Sequence, residues 1–140
     1  MKNKEMITVQ ANIGAPLELV WACWTRPEHI VRWNHASDDW HTVKSEIDLK
    51  EGGRFLSRME AKDGSMGFDF SGTFNVVRNL ESLEYTLDDG RLVEVDFRES
   101  GKKVEVTEKF EPENSNPVDF QKTGWQAIMD NFSAYVESIS

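Results

Sequence analysis

The end of this chain carries one long amphipathic segment, and that segment constrains the fold more than any other feature. Its apolar residues recur at three- and four-residue spacings, which is the pattern of a helix with one broad apolar face. They are Trp125, Ile128, Met129, Phe132, Val136 and Ile139. Asn116 as an N-cap and Pro117 at the first helical position mark the start of a helix of about twenty residues. Such a face needs a partner, so we expect the helix to lie on a sheet.

Segments with the alternation of apolar and polar residues that is typical of β-strands precede this helix. They span residues 5–13, 43–49, 54–61, 68–76, 83–87, 92–97 and 103–110. In the fourth segment the apolar residues share one side of the strand, and these are Phe68, Phe70, Phe74 and Val76. Gly72 leaves a gap in that row. Asp89 and Gly90 suit a tight hairpin turn, so we expect an antiparallel sheet that is half buried.

Two short helices interrupt the sheet after its first strand. Pro16 opens the first helix at a position where its missing N–H costs nothing. Thr25 and Glu28 have the spacing of a capping box, which predicts that a second helix begins there and buries Ile30 and Trp33. The predicted order is one strand, two short helices, about six antiparallel strands and one long helix. This is an α+β arrangement in two layers, and we expect residues 1–140 to form one domain.

Charge and hydropathy exclude several classes of function. Sixteen basic and 25 acidic side chains give a net charge of −9, which would repel phosphate backbones and anionic lipid headgroups. The first ten residues contain no apolar run of signal-peptide length, and no apolar run elsewhere is long enough to span a bilayer. We expect a cytosolic protein with no nucleic-acid partner and no membrane insertion. The lone Cys23 is expected to be a buried, inert thiol.

A set of short motifs follows in a characteristic order and spacing along nearly the whole chain. They are Val20-Trp21, the stretch from Thr25 to Trp33, Gly52-Gly53, Gly72, Asp89-Gly90-Arg91 and Gly124-Trp125. Together they resemble the homologues of the activator of heat-shock protein 90 ATPase. These homologues belong to the START-like superfamily, also called SRPBCC, which has the helix-grip fold of the birch-pollen allergens.

The resemblance implies a curved antiparallel sheet of about six or seven strands wrapped around the long C-terminal helix, with an apolar cavity between them. Members of the superfamily bind lipids, sterols, polyketides and other hydrophobic small molecules, and a few catalyse cyclisation or hydrolysis. The eukaryotic activator instead binds the middle region of the chaperone and stimulates its ATPase, with the help of an additional N-terminal domain. One START-like unit accounts for residues 1–140, so that domain is not expected in this sequence.

Aromatic residues on successive strands and on the covering helix form the candidate binding site. We expect these residues to contact a hydrophobic small molecule: Trp33, Trp40, Phe55, Met59, Phe68, Phe70, Phe74, Tyr85, Trp125, Ile128, Asn131 and Phe132. Trp33 and Trp40 would bracket the mouth, and Tyr85 and Asn131 would supply polar anchors. The small Gly124 on the helix leaves room for a pocket. The leading hypothesis is non-catalytic binding of a ring-containing or lipid-like molecule, with no cofactor.

A cluster of polar residues after the second helix has the chemistry of a metal site. It consists of His29, His35, Asp38, Asp39 and His41. Zinc sites favour tighter spacings of histidine and cysteine, and the single cysteine lies well before this cluster. Neutral surface histidines beside a solvated turn explain the same residues more simply, so no metal is expected.

Two other functions stay open as alternatives. An acidic protein could meet a chaperone through an exposed face rather than through the cavity. A small cyclase or hydrolase would need titratable groups inside the cavity with perturbed pKa values. The carboxylates Glu94, Asp96 and Glu105 have the alternation of a solvated sheet face, and no nucleophile elbow is present, so no catalytic residue is assigned.

Overall fold

Seven strands and three helices make up residues 5–140, which are the residues that this computed structural model describes. In chain order they are β1 (Ile7–Ile13), α1 (Leu17–Thr25), α2 (Pro27–Trp33), β2 (Trp40–Ile47), β3 (Arg54–Ala61), β4 (Gly67–Arg78), β5 (Ser82–Leu87), β6 (Leu92–Ser100), β7 (Lys103–Phe110) and α3 (Val118–Ile139). Residues 1–4, on which the expected lack of a signal sequence partly rests, lie outside the described residues. Within residues 5–140, no helix combines the length and hydropathy needed to cross a membrane.

The strands form one antiparallel sheet in the order β1-β7-β6-β5-β4-β3-β2. Strands β2 to β7 therefore follow one another as neighbours, while β1 pairs with β7 at the far edge. The sheet curls around α3, which runs along its concave face. The α+β class and the helix-grip arrangement are confirmed. The long helix begins one residue later than predicted, since Pro117 is its N-cap and Asn116 lies before it.

The second short helix begins where it was predicted, but for a different reason. Helix α2 starts at Pro27 and has no side-chain hydrogen bond at its N-cap, Arg26. The Thr25 hydroxyl instead donates to the carbonyl of Trp21, 2.8 Å away, inside the last turn of α1. A proline at the first helical position has no N–H that needs a cap, and its φ already suits the helix. The capping box was therefore the wrong explanation, and Pro27 supplies the start signal.

An irregularity in β4 changes which of its side chains face the interior. The register between β4 and β5 shifts between Phe74 and Val76, so that Val77 pairs with Leu83 and Val76 pairs with Glu84. Leu83 is buried, and Val77 packs against the core beside it. An extra residue in one strand turns the following side chains to the other face. The expectation that Val76 continues the apolar row is therefore wrong.

Strands β6 and β7 turn alternate residues toward α3. Their buried residues are Val93, Val95 and Phe97 on β6 and Val104, Val106, Glu108 and Phe110 on β7. The acidic residues Glu94, Asp96 and Glu105 occupy the intervening positions, on the outer face of the sheet. They lie away from the interior, which agrees with their assignment to a solvated face.

One end of the interior is closely packed. The ring centroid of Phe132 lies 4.9 Å from that of Trp24 and 4.8 Å from that of Trp33, both in edge-to-face geometry. Phe97 meets Trp24 edge to face from the sheet, at 6.0 Å. Phe132 and Val136 have no exposed surface. Helices α1 and α2 and the C-terminal half of α3 therefore form a filled aromatic core.

Candidate functional site

The other end of the interior is hollow. A cavity of about 580 Å³ lies between strands of the sheet, α2 and the N-terminal half of α3. All the α3 residues that line it fall within 120–128, whereas the buried residues from Met129 to Val136 belong to the filled end. Small-molecule sites typically have volumes of roughly 300–1,000 Å³. The cavity therefore has the size of a ligand pocket.

Nine of the twelve expected contact residues line this cavity. They are Trp33, Phe55, Met59, Phe68, Phe70, Phe74, Tyr85, Trp125 and Ile128. The Phe55 ring lies at the centre of the sheet wall, with its centroid 4.8 Å from that of Tyr85 and 5.9 Å from that of Phe70. On the helix wall, Trp125 stacks on Phe110 of β7 with centroids 3.8 Å apart. Period-two and helical spacings thus place aromatic rings on both walls.

Two expected contact residues of α3 lie beyond the end of the cavity. Phe132 is fully buried among the rings of Trp24 and Trp33, so no open space adjoins it. The Asn131 side-chain amide donates a hydrogen bond to the backbone carbonyl of His35. This bond holds α3 to the segment after α2, so Asn131 is not a polar anchor of the cavity. Both residues fall outside because the packed helices α1 and α2 fill that end.

The cavity opens to solvent beside Phe68 and Phe120, two lining side chains that are 47% and 66% exposed. Trp40 packs against Phe68 with ring centroids 5.8 Å apart, next to the opening but outside the lining. Trp33 lies deep in the wall instead, where its indole N–H donates to the carbonyl of Cys23 at 2.9 Å. The expected pair of Trp33 and Trp40 at the mouth is therefore replaced by Phe68 and Phe120.

Two glycines border this region with opposite surroundings. A Cβ atom on Gly124 would meet no heavy atom within 4 Å, because the helix there faces open space in the cavity. A Cβ atom on Gly72 would lie 2.5 Å from the carbonyl oxygen of Thr86 and 3.0 Å from the Phe55 ring. The gap predicted in the aromatic row of β4 is therefore filled by a ring from β3.

This contrast predicts opposite effects for the same substitution. Gly72→Ala is expected to lower the free energy of unfolding by about 1–3 kcal/mol, because backbone and ring must move to admit the methyl group. Gly124→Ala, its matched control, is expected to leave stability unchanged or to raise it by up to about 1 kcal/mol through helix propensity. Urea unfolding of the two variants measures both values. Equal losses at the two positions would contradict the structure.

A carboxyl group lies in the wall of the cavity. Strand β7 turns Glu108 inward between Val106 and Phe110, and only 6% of the residue is exposed. Its neighbours across the sheet are Val9 on β1 and Val95 on β6, both buried. Glu108 is not among the expected contact residues. The available signal was its place at every second position of an otherwise apolar row.

Burial gives this carboxyl an unusual charge state. The loss of water raises the pKa of Glu108 from an ordinary 4.5 to about 8, and a side-chain hydrogen bond from Tyr85 opposes that rise. Burial also raises the pKa of the Tyr85 phenol well above its usual value, and the nearby Glu108 raises it further. Both groups therefore hold their protons at neutral pH, and the cavity contains an uncharged polar pair.

The polar residues near the start of α3 hold the backbone together. The amide nitrogen of the buried Gln121 donates to the carbonyls of Glu113 and Asn116 at 3.0 and 2.8 Å, and its oxygen accepts from the Glu113 N–H at 2.9 Å. These bonds tie the loop before α3 to the helix. Arg91 also lines the cavity, and its Nε donates to Asp89 at 2.9 Å. The amide of Gln121 and the Nε of Arg91 are thus already engaged.

The histidines considered as metal ligands have separate surroundings. His29 Nδ1 and the Tyr135 hydroxyl share a hydrogen bond of 2.7 Å, and burial is the main cause of a lowered pKa at His35. In the part of the chain that the structure describes, no group of three or more His, Cys, Asp or Glu residues is arranged to hold a metal ion. Cys23 is buried, and loss of water raises its thiol pKa to about 11, as in an unreactive thiol.

Residues 14–137 match the family model described as Activator of Hsp90 ATPase homolog 1-like protein. No curated protein matches the chain. The fold is similar to the solution structure of the AHSA1-like protein from Aeromonas hydrophila, with 47% sequence identity, a TM-score of 0.91, and coverage of 96% of this chain and 94% of that one.

Two further solved structures show the same fold. A protein from Cytophaga hutchinsonii is 44% identical, with a TM-score of 0.82 and coverage of 95% of this chain and 92% of that one. A protein from Nitrosomonas europaea is only 16% identical, yet its TM-score is also 0.82, with coverage of 99% and 98%. The similarity to the Nitrosomonas europaea protein shows a common fold alone.

Proposed function

Because this chain belongs to the Activator of Hsp90 ATPase homolog 1-like family and has its START-like fold, we propose that it binds a hydrophobic small molecule, ring-containing or lipid-like, in the cavity beside α3. Binding involves no chemical conversion. The observation that carries this proposal is the hollow of about 580 Å³ with aromatic rings on both walls. Close-packed interiors rarely keep such space.

The driving force is the removal of apolar surface from water. At roughly 25 cal/mol per Å², a guest that loses about 300 Å² of apolar surface gains about 7 kcal/mol before the costs of association. The exposed rings of Phe68 and Phe120 mark the route of entry. The aromatic rings that line the cavity, among them Phe55, Phe70 and Trp125, favour a guest with rings.

A ligand screen by NMR tests the proposal directly. Flavonoids, fatty acids and sterols form a suitable panel, because they differ in shape, flexibility and polarity. We expect at least one class to shift the signals of Phe70, Trp125 and Ile128 while those of Val136 stay in place. A panel that leaves all the cavity signals unmoved would contradict the proposal.

Filling the cavity from the helix is expected to abolish most of this binding. Gly124→Leu projects a side chain into open space, so the affinity for the best ligand of the panel should fall about tenfold or more. The fold should survive, because leucine is a better helix former than glycine. Titration calorimetry measures the affinity and urea unfolding measures the stability.

The matched control is Ala134→Leu, which adds a similar side chain to an exposed position of the same helix. It should leave the affinity unchanged. Equal affinities for the Gly124→Leu variant and the unaltered protein would place the ligand outside this cavity.

A second candidate function is contact with a chaperone ATPase, which the description of the matching family favours. The net charge of −9 would support association with a basic surface at rates that fall as salt rises. The test is the ATPase rate of heat-shock protein 90 with and without this chain. An unchanged rate removes this candidate and leaves the cavity proposal standing.

A cyclase or hydrolase is a third candidate, and Glu108 is the observation that favours it. Such an enzyme needs a titratable group with a perturbed pKa inside its cavity. The Glu108 carboxyl faces the cavity and has a pKa of about 8. Incubation of the bound ligand with the protein, followed by mass spectrometry, tests this candidate. Recovery of unchanged ligand would support binding alone.

A further inference from the structure

The only acidic side chain among the buried residues that the structure describes is Glu108. Apart from Ser57, whose hydroxyl lies 3.5 Å from that of Ser45, the other buried polar groups have contacts that serve the fold. Thr25 and Thr42 donate to backbone carbonyls, and Gln121 ties the loop before α3 to the helix. Glu108 differs, because its one hydrogen-bonding partner within residues 5–140 is the Tyr85 hydroxyl. Among the described residues, no backbone group depends on its carboxyl.

Glu108 destabilises the fold at this position, because its carboxyl loses hydration without making a contact that holds the fold together. Its cross-strand neighbours Val9 and Val95 are apolar, so a leucine in its place would match its surroundings and avoid the loss of hydration. The carboxyl and Tyr85 both line the cavity rather than a packed core. A polar pair that faces empty apolar space is suited to contact something that enters that space.

One hydrogen-bond donor of the Glu108 and Tyr85 pair, the O–H of the protonated carboxyl, has no acceptor among the described residues. Tyr85 donates its single O–H to the carboxyl, which lowers the pKa of Glu108, as donation to that group should. The protonated carboxyl still carries its own O–H, and no acceptor for that O–H is found in the described chain. The pair therefore offers the cavity one hydrogen-bond donor and no net charge.

Charged groups elsewhere in the cavity do not alter this state. The lining residues of α3, β3, β4 and β5 carry no charge apart from the titratable Tyr85. The charged lining residues are Glu46 on β2, Arg91 before β6 and Glu113 before α3, and none of them shifts the Glu108 pKa. The nearest strands, β1 and β6, present Val9 and Val95.

We propose that the Glu108 and Tyr85 pair is the polar recognition point of the cavity, and that it selects uncharged guests carrying a carbonyl oxygen on or beside a ring. The Glu108 O–H donates to that oxygen while the rings of the walls cover the rest of the guest. A carboxylate guest would lose its hydration in the apolar cavity. A hydrocarbon guest would leave the Glu108 O–H without an acceptor. This inference rests on the proposed binding function and specifies its ligand class.

Three probes with one ring skeleton test the proposal: tetralin, 1-tetralone and 1-aminotetralin. Their affinities are measured by NMR titration at pH 6.5 and pH 9.5. At pH 6.5 we expect tetralone to bind about three- to tenfold more tightly than tetralin, the range given by one net hydrogen bond. At pH 9.5 the preference should disappear, because the carboxyl has lost the proton it donates.

Variants show whether Glu108 binds the carbonyl oxygen of the guest or only fills space in the cavity wall. The double variant with Glu108→Leu and Tyr85→Phe removes both O–H groups of the pair, so its tetralone-to-tetralin ratio should be close to one at both pH values. Glu108→Gln keeps a donor that does not titrate, so its preference for tetralone should persist at pH 9.5. Glu105→Gln, on the outer face of the same strand, is the control and should behave as the unaltered protein. A merely structural role for Glu108 would not produce this pH pattern.

Three outcomes of the probe titrations would overturn the inference. Equal binding of tetralone and tetralin by the unaltered protein would refute carbonyl recognition while leaving the cavity function intact. Tighter binding of 1-aminotetralin than of tetralone at pH 6.5 would show a carboxylate that recognises cations instead. Failure of all three probes to bind would refute this inference, whereas the panel of flavonoids, fatty acids and sterols decides separately on the function on which it rests.

Discussion

Glu108→Gln is expected to stabilise the protein at pH 8 by an amount on the order of 5 kcal/mol, and to have little effect at pH 4.5. The folded protein keeps the Glu108 proton up to a pKa of about 8, whereas the unfolded chain releases it near 4.5. The folded state therefore binds more protons between these values, and its stability falls as the pH rises through that window. Glutamine has similar size and hydrogen-bonding groups but no proton to lose.

Urea unfolding of both proteins between pH 4.5 and pH 8.5 measures this effect as a difference curve. Other carboxyls titrate equally in both proteins, including Asp88, whose pKa Arg54 and Ser71 hold below its usual range through hydrogen bonds. Their contributions cancel in the difference. Parallel stability curves for the two proteins would mean that Glu108 is ionised or hydrated in the folded state.

Phe132→Ala is expected to lower the free energy of unfolding by about 3–5 kcal/mol, whereas Phe70→Ala should cost distinctly less. Phe132 has no exposed surface and contacts the rings of Trp24 and Trp33, so its removal leaves a new void in a filled region. Phe70 already borders the cavity, so its removal enlarges existing space. The difference between the two losses measures how unevenly the interior is packed.

Denaturant unfolding at one pH provides both values. The Phe70→Ala variant serves as the matched control, because the same atoms are deleted from a sheet residue at the other end of the interior. Losses of equal size would indicate that the hollow end is closed and packed in solution. They would also remove the main support for a ligand pocket.

Periodicity accounts for most of what the sequence predicted correctly about the fold. Strands β3 and β7 begin and end at the expected residues, since clear turns bound each of them. The apolar spacing of α3 identified its buried face, except that Ile139 in its last turn is exposed. Where alternation breaks, the prediction fails: the bulge near Asn75 in β4 leaves no mark in composition, and it exchanges the faces of Val76 and Val77. Bulges depend on pairing with a neighbouring strand, which one segment does not specify.

The candidate site was predictable in kind but not in extent. Spacing places Phe55, Phe70 and Trp125 on inward faces, and these residues do line the cavity. Phe132 has the same spacing and the same chemistry, yet it lies in the filled core. What separates the two groups is the position of α1 and α2 along α3, which is a matter of tertiary packing. Glu108 lies outside the predicted set because acidic residues on a strand are rarely buried.

Helix α3 joins the two ends of the interior, and this has a consequence for how such a domain can diversify. The residues that secure the helix, Phe132 and Val136, are separate from those that border the hollow. Substitutions near Phe55, Phe70 and Ile128 should therefore alter which ligands fit the cavity without destabilising the packing of α3. In such a domain the cavity residues can change while the core residues that hold α3 stay the same. Relatives with a common backbone therefore need not share a ligand.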